Sequence, residues 1–172
     1  MVGGAPVARF SLTDHHGRQV SEADFAGSFL LVYFGFTHCR VVCPRSLARL
    51  SGVLDRLGDP ASRIKALYIT VDPARDTPEV MRAYLESAYP RFTGLTGSQE
   101  QIDAAKKTFR VFAQPKPDAE DPDGYVVPHS AISYLMAPDG SYCDHFTDAV
   151  EEDKIADRIG EALAREGNLE HG

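Results

Sequence analysis

Two cysteines have the type and spacing to do chemistry. Cys39 and Cys43 stand four residues apart at the end of the apolar run 29–36, and Pro44 follows the second directly. Two thiols this close can form a disulfide or hold a soft metal ion between their sulfurs. Two buried structural cysteines without chemistry are the third alternative.

Pro44 decides the local geometry that we predict. Inside a helix a proline clashes and removes a hydrogen bond, at a cost of about 3 kcal/mol, whereas it fits the first turn. We therefore predict a helix that begins near Val42 or Cys43 and ends at Leu57, with Cys39 on the loop before it.

The same geometry predicts reactive thiols. Cys43 would lie at the positive end of the helix dipole, which stabilises a thiolate, and Arg40 and Arg45 add positive charge. These features favour a disulfide switch or a metal clamp over a structural pair.

A third ligand would widen the choice of metal, since imidazole beside two thiolates accommodates Cu(I), Cu(II) or Zn(II). The chain has 6 histidines. His15 and His16 flank a predicted surface turn, where we expect them to be solvated. His129 is the strongest candidate because it follows Pro128 and a loop rich in proline and aspartate.

Two aspartates follow the second buried strand in the stretch "DPARDTPE". We expect Asp76 to support the turn and to help Thr77 cap the next helix. For Asp72 a structural role and a bond to a metal ligand or a partner are equally open.

Strands and helices alternate along the chain, which predicts an α/β fold with a mixed sheet flanked by helices. The cysteine pair lies at the carboxyl end of a central strand, where open α/β sheets place their functional groups. The predicted strands are an N-terminal hairpin turning at His16-Gly17, buried strands at 28–36 and 63–72, a short strand or loop at 91–97, and a hairpin at 129–146. The predicted helices are 42–57, 76–89 with Thr77 as N-cap and Pro78 next, 98–113 with Ser98 and Gln101 as a capping box, and 149–167 ending at Gly167. Residues 114–128 are a predicted surface loop with a Pro-Asp-Gly turn.

Composition limits the class of protein. The 172 residues are 43% hydrophobic and 25% charged, which predicts one folded domain over residues 1–172. A net charge of −7 argues against a nucleic-acid partner. No stretch is apolar enough to span a bilayer, and "MVGGAPVARF" lacks the features of a signal peptide. We expect either a cytosolic protein or a form released from a leader or an anchor.

Three blocks of sequence resemble one family. "LVYFGFTHC…CP", "ITVDPARDTPE" and "PHSAISYLMAPDG" are similar in order and spacing to the Sco/SenC proteins, and the likeness runs from about Phe10 to Ala164. The resemblance implies a thioredoxin-like fold that binds one copper ion through Cys39, Cys43 and His129.

The resemblance also implies a role. Such proteins assist assembly of the binuclear copper centre of cytochrome c oxidase, by delivering copper, by reducing the target's cysteines, or both. The implied partner is the copper-bearing oxidase subunit or another copper chaperone, and the implied form is a monomer that is not an enzyme in the turnover sense. Family members are anchored by an N-terminal helix that this chain lacks. They face the bacterial periplasm, which we expect here, or the mitochondrial intermembrane space.

The sequence departs from the family pattern in two places. The spacer between the cysteines is Arg40-Val41-Val42 instead of Pro-Asp-Val, which should lower the thiol pKa values and disfavour a bound cation. Cys143 has no implied family role; it and His145 could face one side of a strand, although a half-buried structural cysteine is the simpler expectation.

Two other functions need fewer residues. A thiol–disulfide oxidoreductase needs only the cysteine pair. A peroxiredoxin-like peroxidase fits less well, because no proline stands where its Pro-x-x-x-Thr-x-x-Cys frame requires one.

Overall fold

The computed structural model describes residues 8–37, 42–109, 116–118, 121–126, 132–147 and 149–171. In these ranges the strands are β1 (Ser11–Asp14), β2 (Gln19–Ser21), β3 (Phe29–Gly35), β4 (Ile64–Thr70), β5 (Phe92–Thr96), β6 (Lys116–Asp118), β7 (Asp121–Val126), β8 (Ile132–Met136) and β9 (Tyr142–Thr147). The helices are α1 (Val42–Leu57), α2 (Pro78–Ala88), α3 (Gln99–Thr108) and α4 (Glu152–His171).

One seven-stranded sheet organises the fold, in the order β2-β1-β5-β4-β3-β8-β9. β3 pairs with β4, and β4 with β5, in parallel, whereas the other neighbours are antiparallel. The predicted mixed sheet is therefore confirmed, and the three parallel strands lie in its centre.

β3 is the axis of the core because every residue in it is buried. Alternate side chains point to opposite faces. Phe29, Leu31 and Tyr33 pack on the face covered by α1, α2 and α4. Leu30 and the other alternate residues pack on the opposite face, together with α3 and with Ala8 and Phe10 from the segment before β1. Burying each such side chain stabilises the fold by roughly 1.5–3 kcal/mol, and this fixes the position of the strand's carboxyl end.

The helix starts follow the predicted capping residues. Thr77 Oγ1 accepts a hydrogen bond from the Val80 N–H, and Pro78 is the first residue of α2. Ser98 and Gln101 form the predicted capping box at the start of α3.

Two helix ends differ from prediction. α3 ends at Thr108, before the predicted end, because Phe109 leaves the helical conformation and packs edge-on against Phe34 at 5.3 Å between ring centroids. α4 continues to His171, past Gly167. A glycine inside a helix costs only about 1 kcal/mol relative to alanine, which neighbouring helix formers can outweigh.

The predicted loop 114–128 contains the two-stranded sheet β6-β7. Lys116 pairs with Val126 and Asp118 with Asp121, and the register shifts between these pairs. The Pro-Asp-Gly sequence at 122–124 therefore lies in this irregular part of β7 and does not form the predicted turn. The last predicted hairpin is formed by β8 and β9 and turns at Gly140, which has a φ of 88°. None of the helices in the described ranges is long and apolar enough to cross a membrane.

Candidate functional site

The structure places the helix that carries Cys43. α1 begins at Val42, so Cys43 is its second residue and Pro44 its third, which confirms the helix start predicted from the proline. No acidic residue lies in its first turn to offset the positive helix end. The side chain of Cys43 and the whole of Cys39 and His129 lie outside the described residues.

The first turn of α1 is held from the far end of α2. The Tyr89 hydroxyl donates to the Pro44 carbonyl at 3.3 Å. Tyr89 continues a row of stacked or tilted rings formed with Tyr84, Tyr68 and Tyr33, with centroid distances of 5.7, 6.2 and 6.1 Å. This row ties the start of α1 to the core beneath β3 and β4.

Asp76 joins the carboxyl ends of the three parallel strands. Its carboxylate accepts hydrogen bonds from the Thr37 N–H at 3.0 Å, from Thr37 Oγ1 at 2.5 Å and from Thr70 Oγ1 at 2.7 Å. The Thr96 hydroxyl donates to the Asp76 main-chain carbonyl at 2.7 Å. Asp76 is therefore hydrogen-bonded to Thr37, which stands two positions after the end of β3. It is also bonded to Thr70 and Thr96, the last residues of β4 and β5. Thr77 caps α2 without its help, so the predicted capping role for the Asp76 side chain is wrong.

Asp72 is buried in a turn and has a cationic partner. Its carboxylate forms an ion pair with Arg75 Nε, and its main-chain carbonyl accepts from the N–H groups of Arg75 and Asp76. The Arg75 guanidinium lies 6.0 Å from the ring centre of Phe36, at the end of β3. These contacts give Asp72 a turn-forming role; its predicted bond to a metal ligand or a partner stays a prediction.

Sheet topology relates the segments that carry the other predicted ligands. β8 pairs antiparallel with β3, with Tyr33 opposite Ser133. The chain therefore leaves β3 at the same sheet edge at which it enters β8. Cys39 stands four positions after the last residue of β3, and His129 stands three positions before the first residue of β8.

A β-bulge separates Cys143 from His145. Met136 pairs with Tyr142 and Leu135 with Asp144, so one extra residue stands in β9. Cys143 packs against the core on the α1 and α4 face, whereas His145 is exposed and its Nδ1 contacts the Tyr142 hydroxyl. The suggestion that both face one side is wrong, because the bulge interrupts the alternation. Cys143 is half-buried, as predicted.

His15 is buried, with 8% of its surface exposed, so the prediction that it is solvated is wrong. Its Nδ1 accepts a hydrogen bond from the Gly94 N–H at 2.8 Å. β1 ends at Asp14, opposite Leu95, so the ring satisfies the backbone group just beyond the ladder. His16 is exposed, as predicted.

His15, His16 and Glu86 bring one possible ligand atom each to within 4.8 Å of one another. The Gly94 hydrogen bond decides against a metal there. A backbone N–H only donates, so Nδ1 carries the lone pair and the neutral ring keeps its proton on Nε2. Metal-bound histidines have the opposite arrangement, with the second nitrogen donating. We conclude that His15 serves as a structural acceptor.

The sequence analysis did not predict the hydrogen bonds that join Asp76 to Thr37, Thr70 and Thr96. A signal was present, since Thr70 and Thr96 each end an apolar strand and Thr37 stands two residues after another. Their convergence on one residue requires the strand order, which no local pattern supplies.

The fold and the site define a thioredoxin-like protein with a Cys-x₃-Cys segment between the first parallel strand and its helix. The SCO1/SenC family model matches residues 4–164, and the chain belongs to this family. It is 43% identical over 157 residues to "Protein SCO2 homolog, mitochondrial" of Bos taurus, covering 90% of this chain and 59% of that protein. It is 40% identical over 152 residues to "Protein SCO1 homolog, mitochondrial" of Homo sapiens, covering 87% and 50%. The chain thus spans between half and three fifths of these relatives' lengths.

Solved structures agree in fold. Arabidopsis thaliana ScoI with copper bound superposes with a TM-score of 0.87 at 30% identity, covering 94% of this chain and 99% of that one. Yeast Sco1 with copper bound gives 0.85 at 33% identity, covering 94% and 90%. The thioredoxin-like fold implied by the three sequence blocks is confirmed.

Proposed function

We propose that this protein binds one copper ion through Cys39, Cys43 and His129, and that it assists assembly of the binuclear copper centre of cytochrome c oxidase. The observation that carries the proposal is the antiparallel pairing of β3 with β8. Cys39 follows the end of β3 by four positions, and His129 precedes the start of β8 by three. Because a chain spans at most about 3.5 Å per residue, both residues stay close to this pair of neighbouring strand ends and can reach one another.

The donor set suits copper. Two thiolates favour soft Cu(I), and an imidazole makes Cu(II) acceptable as well. The site would carry one net negative charge with Cu(I) and none with Cu(II). The positive end of α1, without an acidic residue in its first turn, supports the thiolate form of Cys43 that a metal needs.

The relatives support the same ligand. The Arabidopsis and yeast proteins were solved with copper bound, and family membership extends over nearly the whole chain. The oxidase subunit or a second copper chaperone is the partner we propose. We further propose a monomer that folds as one domain over residues 1–172 and does not turn over a substrate.

We propose the mitochondrial intermembrane space as the compartment. Two of the relatives are named as mitochondrial, which favours the intermembrane space. The bacterial periplasm, which we expected from the sequence, is the alternative that these relatives do not support.

A competition titration tests the copper site. Reduced protein is titrated with Cu(I) against a chelator of known affinity, and the variants Cys39→Ser, Cys43→Ser and His129→Ala are compared with wild type. Each should weaken binding at least about tenfold, which is about 1.4 kcal/mol. His129→Ala should also change the Cu(II) spectrum, because it removes the only nitrogen ligand.

Cys143→Ser is the matched control, because that thiol lies on the core side of β9. It should bind copper as wild type does. Unchanged affinity in any of the three ligand variants would contradict the assigned site.

A thiol–disulfide oxidoreductase is the second candidate, favoured by Arg40 in the spacer and by the helix start at Cys43. In this reaction Cys39 and Cys43 lose two protons and two electrons and form a disulfide, while the partner's disulfide becomes two thiols. Incubation with a disulfide-bonded peptide from the oxidase subunit tests it, and an intact peptide disulfide would exclude it.

A further inference from the structure

We propose that Asp76 is the positioning residue of the Cys39–Cys43 segment, acting through Thr37. The proposal rests on the function proposed above, because it concerns how the two thiols are presented. Asp76 acts through Thr37 and sets the direction in which the chain leaves β3.

Thr37 forms two hydrogen bonds with the carboxylate of Asp76. Its N–H donates to Oδ2 and its hydroxyl to Oδ1 of the same carboxylate. One hydrogen bond would allow rotation about its own axis, whereas two bonds to both oxygens fix the position and the orientation of Thr37. Thr37 stands two positions before Cys39.

Asp76 is itself immobilised independently of β3. Its N–H donates to the Asp72 carbonyl at 3.0 Å, and its carboxylate also accepts from Thr70. Its side chain is fully buried. A buried carboxylate is costly to leave unsatisfied, so the donors remain in place.

The relative position of Cys39 and Cys43 matters both for disulfide formation and for copper binding. A disulfide requires the two β-carbons to be about 3.5–4.5 Å apart, and a copper ion requires both sulfurs and a nitrogen at fixed distances. Cys43 is placed by α1 and the Tyr89–Pro44 hydrogen bond. The position of Cys39 relative to it then depends on the end of β3, which Asp76 holds.

A purely structural role of Asp76 is the competing explanation. Threonine variants distinguish it from the positioning role. Thr37→Val keeps the side-chain shape and the N–H bond but removes the hydroxyl donor. Thr37→Ser keeps that donor. Thr96→Val is the matched control, because Thr96 is also a strand-end threonine, but it lies on β5 and donates its hydroxyl to the main-chain carbonyl of Asp76 and not to the carboxylate that binds Thr37.

The variants are compared by the rates at which Cys39 and Cys43 react with iodoacetamide, resolved by peptide mass spectrometry, and by the dithiol–disulfide equilibrium with glutathione. Urea unfolding is measured in parallel. We expect Thr37→Val to change the equilibrium constant or the Cys39 rate by about tenfold, as partners that orient ligands commonly do. Thr37→Ser and Thr96→Val should stay close to wild type in both.

The inference is overturned if Thr37→Val and Thr96→Val lose stability alike and leave both thiol properties unchanged. If Thr37→Val does not fold, Asp76→Asn, which keeps the shape of the side chain, is compared with Thr96→Val in the same way. Failure of wild-type protein to bind Cu(I) would overturn the proposed function alone, because neither thiol measurement involves copper.

Discussion

At the scale of single residues, a hydrogen bond to one backbone N–H group gives two neighbouring histidines different roles. His15 stands next to His16 in a turn, and nothing in that dipeptide distinguishes the two rings. The Gly94 N–H distinguishes them, since it binds His15 Nδ1 and draws that ring into the protein. Burial lowers the pKa of His15 from its ordinary value of 6.5, and His16 acts in the same direction, whereas Asp14 and Glu86 oppose it.

This lowered pKa predicts a pH-dependent stability. Protonation of Nδ1 would break the bond to Gly94. The unfolded chain, with the ordinary pKa near 6.5, then binds more protons than the folded chain in the interval between the two values. The contribution of His15 is therefore complete above about pH 6.5 and decreases as the pH falls toward the folded pKa. Urea unfolding from pH 8 to pH 5 measures it.

His15→Gln supplies the comparison, because its carbonyl can accept from Gly94 but does not titrate. Its free energy of unfolding should fall less than that of wild type below pH 6.5. The exposed neighbour provides the control, since His16→Gln should retain most of the wild-type decrease. A wild-type curve parallel to that of His15→Gln would show that His15 does not contribute.

At the scale of elements, the sequence predicts the features that local contacts determine. It does not predict the features that depend on contacts between residues distant in sequence. Thr77, Pro78 and the Ser98–Gln101 box predicted helix starts because capping involves residues within one turn. The end of α3 was missed because a tertiary contact of Phe109 with Phe34 decides it. The bulge at Cys143 was missed for the same reason, since register depends on the partner strand.

The contact between α2 and β5 depends on a glycine. A β-carbon on Gly94 would lie 2.8 Å from Leu85 Cδ1 and 3.0 Å from Met81 Cε. Both side chains are fully buried, so neither has space to move away. We expect Gly94→Ala to lower the free energy of unfolding by about 1–3 kcal/mol, as overpacking does.

Gly160→Ala is the opposite case, because a β-carbon there would meet Leu57 Cδ2 at an ordinary 3.8 Å. Within α4 the added methyl group should stabilise the protein by up to about 1 kcal/mol, since alanine favours the helix. Urea midpoints of both variants measure the difference. Equal midpoints would mean that α2 can shift away from β5.

At the scale of the whole molecule, the strand order relates segments that are far apart in sequence. The spacing of the cysteines and the position of His129 after Pro128 made these residues candidates, and the family resemblance joined Cys39, Cys43 and His129 into one predicted ligand set. What the structure adds is that β3 and β8 are neighbours and antiparallel. A ligand shared across these strands would bind the native state and stabilise it by mass action.

This linkage predicts a copper-dependent melting temperature. The unfolded chain keeps Cys39 and Cys43 close in sequence, so that it can still bind Cu(I) and reduce the stabilisation. His129 joins them only in the folded sheet, so its contribution appears entirely in the native state. At free Cu(I) 100-fold above the native dissociation constant, the gain is at most about 2.7 kcal/mol. Thermal unfolding of reduced protein, followed by circular dichroism at buffered Cu(I), measures the rise in Tm.

His129→Ala should show a clearly smaller rise than wild type, because its native and unfolded states offer the same two thiols. Cys143→Ser should rise as wild type does, since that thiol packs in the core on another strand. Equal rises for wild type and His129→Ala would mean that copper binds the Cys-x₃-Cys segment alone. The pairing of β3 with β8 would then have no part in the site.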